Sequence, residues 1–186
     1  MSPPAKGPGD GATAGPYACP MTKPIRLWTC SSHHTAFRCG GWASVCEIGG
    51  ETGGVAGGER ATTAPRMALA GLAAGLARLA PVPAGDAARP IRIETGNPAL
   101  AVFAGILANL GRPAGDAPDQ DLDLWARIIT AAKGHRLELV LIPPAANTPI
   151  AFAAAWADLA MDRAKGRGAF TAAIPRANLS RIAGLG

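Results

Sequence analysis

The chain has 186 residues, a formal charge of +5 at neutral pH and a hydrophobic content of 48%, much of it alanine. That length suits one domain with a full core plus tails. No apolar run approaches the roughly 20 residues of a membrane span, and the opening MSPPAKGPGDGATAGP lacks an apolar signal segment, so a cytoplasmic protein is expected.

Residues 1–23 are rich in Pro, Gly and Ala and are expected to be a disordered tail. Pro24 to Thr29 alternates Ile25, Leu27 and Thr29 with Arg26 and Trp28, which predicts a first strand. The stretch CSSHHTAFRC reads as a loop, and WASVCEI as a second strand. GGETGGVAGGER reads as a hairpin turn and a short third strand ending near Thr62. Its glycines resemble a phosphate loop, but no GK[ST] follows, which argues against nucleotide binding.

Residues 61–80 are predicted to form a central helix. Leu69, Leu72, Leu76 and Leu79 recur at steps of three and four and line one face. Thr62 and Thr63 are N-cap candidates, and Pro65 suits the first turn. The opposite face is mostly Ala and Gly, including Gly71 and Gly75, a strip that lets another backbone approach closely. Ile91 to Thr95 is a fourth strand. Asn97 and Pro98 open a second helix expected to reach Leu110, and Asp121 or Asp123 starts a third. Arg136 to Ile142 is a fifth strand and Ile150 to Ala164 a last helix. The expected architecture is an α/β domain over 24–164, a five-stranded mixed sheet flanked by helices, followed by a basic tail over 165–186.

The four cysteines, Cys19, Cys30, Cys39 and Cys46, lie in the first quarter of the chain. A reducing compartment argues against disulfides. Cys30, His33 or His34, Cys39 and Cys46 can be drafted as a zinc set, but their spacings match no common site, which favours plain thiols. Charge is distributed unevenly. All 13 acids lie before residue 163, balanced there by 13 bases, and Arg163, Lys165, Arg167, Arg176 and Arg181 supply the whole excess. Such a tail either attracts polyanions without sequence preference or simply aids solubility.

Several strings resemble ribonuclease HI. TTAPRMAL is similar to that family's TTNNRMEL, DLDLWARI to its DLW-containing helix start, and GGWASVCE to its second strand. WTCSS sits where the family has TDGS, and ADLA resembles its ADELA. The resemblance spans about residues 25–164. It implies an RNase H-like fold with strand order 3-2-1-4-5, and an enzyme that cuts RNA in RNA–DNA hybrids with two Mg²⁺ ions held by four carboxylates. Mg²⁺ demands hard oxygen ligands, so that chemistry needs convergent acids.

Carried over, those carboxylate positions fall on Cys30, Ala68, Gly96 and Ala157, and the mobile-loop histidine near Asn147. None is an acid. Glu94 is two residues before Gly96 on the same strand, and Asp158 one residue from the expected helix position. A thiol is a poor Mg²⁺ ligand. The resemblance therefore leads to an expectation of no metal cofactor and lost hydrolysis. The family's hybrid-gripping asparagines are Ala64 and Pro65 here, and Asp116, Asp119, Asp121 and Asp123 outnumber Arg112 before the third helix, a surface expected to repel phosphate. Thr63 has two readings, a phosphate contact or a helix cap alone. His33, His34, Phe37 and Arg38 either stack on bases and bind phosphate or form a surface loop without a role. Trp42, Trp125 and Trp156 read as core.

Three functions compete at this point. One is a non-catalytic module that binds an RNA–DNA hybrid or duplex weakly through the HHTAFR loop, with His33, His34 and Arg38, and the basic tail. The second is a protein scaffold using the Ala/Gly face. The third is an active hybrid nuclease that relies on Glu94 and Asp158 and requires Mg²⁺.

Overall fold

The computed structural model describes residues 24–79, 89–110 and 118–182. The expected N-terminal tail, the turn after the central helix, and Arg112 and Asp116 lie outside the described residues. Three long strands open the domain: β1 (Ile25–His34), β2 (Cys39–Ile48) and β3 (Glu51–Arg60). Helix α1 (Ala64–Leu79) leads to β4 (Ile91–Thr95), then α2 (Pro98–Ala101), α3 (Ala104–Ala108), α4 (Leu122–Ala131) and β5 (Leu137–Leu141). Helix α5 (Pro149–Arg167), strand β6 (Phe170–Ala173) and the short α6 (Arg176–Leu179) complete it.

The sheet order is β5-β4-β1-β2-β3-β6. β1, β2 and β3 pair antiparallel, while β4 joins β1 and β5 joins β4 in parallel. The expected 3-2-1-4-5 arrangement is present as the core of this sheet. The sixth strand comes from the stretch read in the sequence as a basic tail. Gly168, at φ +84°, reverses the chain after α5, and Phe170–Ala173 then pairs antiparallel with β3. Four residues without strict alternation gave a weak strand signal. β1 is also longer than expected. CSSHH, read as loop, continues the strand because Ser31 to His34 all have partners on β2.

Each face of the sheet carries its own core. On one side α1, α4 and the α2–α3 segment cover Ile25, Leu27, Ile91 and Ile93. On the other, α5 and the C-terminal residues cover Trp28, Ala43, Val45 and Ala56. The single helix expected from Pro98 to Leu110 is two short ones. At the break, the Phe103 amide donates to the Leu100 carbonyl, a tightened turn that sets the Phe103 ring edge-on to Trp125 at 5.4 Å.

The Ala/Gly strip of α1 does not face solvent. A Cβ on Gly75 would stand 2.7 Å from Leu27 Cδ1 and 3.0 Å from Ser44 Cβ, and one on Gly71 2.9 Å from Thr29 Oγ1. The strip is the surface that lets α1 settle on β1 and β2, so the scaffold reading loses the feature that motivated it. Ser44 Oγ fixes the contact by donating to the Gly71 carbonyl at 2.7 Å. The other side of β2 is as tight: a Cβ on Gly41 would meet Met161 N at 2.2 Å and the Ala157 carbonyl at 2.4 Å.

Because those neighbours are backbone atoms, Gly41→Ala should destabilise the fold by about 3 kcal/mol or more in urea titration. Gly166→Ala on α5, where a Cβ meets nothing within 4 Å, should instead stabilise it by about 0.5–1 kcal/mol.

Candidate functional site

The parallel pairing of β1 with β4 ends at Thr29 and Thr95, where β4 stops and β1 runs on beside β2, and the start of α5 crosses near that point. Cys30 lies there, 6% exposed, with its Sγ 3.7 Å from the Ile150 carbonyl. Burial pushes its thiol pKa up; the Gly96 amide opposes this, and the charge of Asp158 adds to it. Ala157 belongs to the same buried cluster. Ala68 is buried in the core on the α1 face. Gly96 turns the chain after β4 against Pro144, where a Cβ would stand 3.2 Å from Pro144 Cδ and 3.4 Å from the Ile142 carbonyl. Asn97 Nδ2 donates to Ser31 Oγ, and its Oδ1 accepts from the Ala99 amide at 2.8 Å, which caps α2.

Cys30 and Gly96 are thus neighbours, and Ala157 shares the buried cluster of Cys30. What they form is a closed apolar contact. Among the described residues, no group of three His, Cys, Asp or Glu side chains is placed to hold a metal ion. Cys30, Cys39 and Cys46 are separate buried thiols.

Glu94 points to the same side of the sheet as Gly96, as its spacing requires. Its carboxylate is already surrounded. Trp28 Nε1 donates to it at 2.7 Å, Arg92 Nε at 2.9 Å and Arg26 at 3.3 Å, and the Arg26 guanidinium also lies 4.5 Å above the Trp28 ring. Burial by itself would raise the pKa of Glu94; the Arg92 hydrogen bond, the Arg26 charge and the indole donor outweigh it, and the net shift is downward. Asp158 is exposed, while Ile150, Ala153, Ala157, Ala160 and Ala164 form the inward stripe of α5.

The basic and aromatic candidates fall into separate groups. Thr63 Oγ1 accepts from the Arg66 amide at 3.3 Å, a helix-cap contact; neighbouring Thr62 Oγ1 is buried without a partner. His33 Nε2 is 3.1 Å from the Thr62 carbonyl and ties β1 to the entrance of α1. His34 packs on Phe37 with ring centroids 4.6 Å apart, and Lys165 Nζ lies 3.4 Å from the Phe37 ring centre. Arg38, at φ +46°, is exposed in the same turn. Lys165 and Arg167 close α5 and therefore sit on a helix, not in a tail. Arg163 stacks on Phe170 at 4.3 Å. Asn147 is exposed at φ +61°, in the loop before α5.

One cluster escaped the sequence reading. Arg66 donates to Asp121 at 2.9 Å, to both oxygens of Asp123 at 2.9 and 3.0 Å, and to Glu59 at 3.3 Å. These partners raise its pKa above the ordinary arginine range. The acids of DLDLW thus clamp the start of α1 to α4. Read alone they look like a surface that only repels phosphate. The signal was available in the arginine of TTAPRM, which needs a carboxylate partner once it leaves water.

No protein-family model matches the chain. It is 29% identical to Ribonuclease H of Acidiphilium cryptum strain JF-5, over 68% of this chain and 78% of that protein. Solved structures that share its fold include LC9-RNase H1, a type 1 RNase H with the type 2 active-site motif (TM-score 0.53, 16% identity, 86% of this chain and 80% of that one), and LC11-RNase H1 in complex with RNA/DNA hybrid (TM-score 0.55, 16% identity, 75% and 98%). The protein is of the α/β RNase H-like class. Within that class, its sequence and fold are both similar to the ribonuclease H family, as TTAPRMAL and DLDLWARI imply. Among the described residues no helix is long and apolar enough to cross a membrane.

A folded-state pKa below the ordinary value means that Glu94 stabilises the fold above about pH 4.3, and that this contribution disappears as pH falls through the lower folded value. Glu94→Gln should cost about 1–3 kcal/mol at neutral pH and flatten the acid limb of a stability–pH curve measured by thermal melting.

Proposed function

We propose that this chain is an RNase H-like module without metal-dependent hydrolysis, which keeps a weak, charge-driven grip on nucleic acid. The observation that carries this reading is the state of the carboxylate positions. Cys30, Ala68 and Ala157 are buried and carry no anionic oxygen, and Gly96 has no side chain and packs against Pro144. Mg²⁺ takes hard oxygen ligands in a near-octahedral shell and usually keeps several waters. A buried thiol, two methyl groups and a glycine offer neither the oxygens nor the room. The donor set does not fit a pair of divalent cations.

The nearby acids do not replace the missing ones. Glu94 is held by two guanidinium groups and an indole, so drawing it toward a metal would strand Arg26 and Arg92. Asp158 is on the solvent side of α5, roughly 100° round the helix from Ala157. Single displaced acids give no convergent site.

The grip is assigned to one corner of the molecule, where the β1–β2 turn meets the last turn of α5. His34 and Phe37 supply flat rings, and Arg38, Lys165 and Arg167 supply charge. Rings for stacking beside cations for phosphate suit single strands or the edge of a duplex, with little sequence preference. The Arg66 cluster, one base among three acids, adds nothing to this attraction. LC11-RNase H1, which shares the fold, is a precedent for an RNA/DNA hybrid as ligand.

Labelled RNA–DNA hybrid incubated with the full chain and Mg²⁺ or Mn²⁺ should remain uncut. Metal-dependent cleavage lost in Glu94→Gln would overturn the reading. In gel-shift titrations at two salt concentrations, binding should weaken as salt rises. Lys165→Ala together with Arg38→Ala should flatten the log–log slope by about 2. Absence of salt-sensitive binding at micromolar protein would remove the nucleic-acid part and leave the loss of hydrolysis standing.

A further inference from the structure

Strand β6 is the last of the sheet, and among the described residues no strand pairs with its outer edge. Which of its backbone groups face outward follows from the register. The Ile174 amide donates to the Gly54 carbonyl at 3.0 Å, so Ala172 opposite Ala56 and Phe170 opposite Gly58 also direct their hydrogen bonds to β3. The amides and carbonyls of Thr171 and Ala173 then point away from the sheet. Thr171 and Ala173 are exposed, and neither proline nor charge guards the strand.

An apolar groove runs beside that edge. It measures about 330 Å³ and is lined by Trp156, Leu159 and Arg163 of α5 with Phe170, Ala172 and Pro175. Leu159 is 60% exposed, although it lies on a helix that otherwise buries its apolar stripe. Arg163 is the charged residue lining the groove itself, and the adjoining hollow sets Arg78 and Arg176 against Glu51, a net positive lining. Arg163 stands over Phe170, and Arg176 lines the adjoining hollow with Ala173. Residues 163–186 hold five bases and no acid. No acid lines the groove itself; Glu51 and Glu59 line the hollows on either side of it, Glu59 paired with Arg66.

We infer that this edge docks an extended acidic peptide segment of a partner protein, which adds as a seventh strand and sets alternate apolar side chains into the groove. Main-chain hydrogen bonds to Thr171 and Ala173 supply the affinity, the groove selects an apolar side chain, and the arginines select acids at the positions between. A second copy of this chain is a poorer occupant, because edge-to-edge pairing would bring two sets of arginines together. The chain's own residues 1–23 offer one acid against two lysines and are rich in proline. Nucleic-acid phosphates could accept from the free amides but would leave the alternating carbonyls of Thr171 and Ala173 unmatched. This surface is separate from the corner assigned to nucleic acid.

A soluble peptide of alternating valine and glutamate, titrated into the full chain by calorimetry, tests the inference. Binding is expected in the micromolar range, and a valine–lysine peptide should not bind. Thr171→Pro fills the outer edge without removing a bond to β3, and it should weaken binding at least about tenfold. Leu159→Glu should do the same from the exposed surface of α5, where the fold is not at risk. Failure of the valine–glutamate peptide to bind, or binding that survives both substitutions, would overturn the inference. So would a concentration-dependent dimer abolished by Thr171→Pro, which would make a second copy the occupant. RNA–DNA hybrid displacing the bound peptide would also count against it.

Discussion

Close approach of a helix backbone to each face of β2 governs this structure. Gly41 lets the Ala157–Met161 turn of α5 rest directly on the strand backbone, and Gly71 and Gly75 let the backbone of α1 settle on the side chains of Leu27, Thr29, Trp42 and Ser44 from the other side. Neither contact tolerates a methyl group without displacement of backbone or core atoms. Few bulky side chains are then needed, which explains how a chain rich in alanine and glycine builds two separate cores. The polar groups trapped in these contacts are satisfied locally. Ser44 bridges Thr29 and the Gly71 carbonyl, and the sheet carries no loose hydroxyl at that crossing.

The same closeness shapes the corner where β1 and β4 end. Helix α5 approaches through alanines, and the loop before it lays Pro144 against Gly96. Van der Waals contact fills this corner. The remaining buried acid, Glu94, lies one residue pair back along the strands and works as a structural counter-ion. It joins Arg26 of β1 to Arg92 of β4 and accepts a hydrogen bond from the indole N–H of Trp28 in the α5-side core. A buried charge held by several donors resists recruitment, because each donor it leaves is stranded in turn.

Much of this architecture was legible in the residues. The leucine spacing gave α1, the β-branched run IRIET gave β4, and TTAPRMAL with DLDLWARI led to the sheet order. Cys30, Gly96 and Ala157, singled out by the resemblance, lie near one another in the fold. Contacts distant in sequence were not legible. Arg66 and Asp123 are 57 residues apart, and nothing local shows that they share protons. The Ala/Gly strip was visible, but its partner was not, since small residues fit a sheet as well as another protein. β6 was hidden for a different reason. Four residues in a basic setting resemble a tail until β3 offers them an edge.

Clustered carboxylates repel one another and must be held together by the rest of a fold, and a bound cation relieves that repulsion at the cost of making stability depend on its supply. The apolar contact around Cys30 and Ala157 carries neither burden. This corner contributes ordinary cohesion, and under the function proposed above the domain would keep its shape whatever the level of free divalent ions or chelators around it.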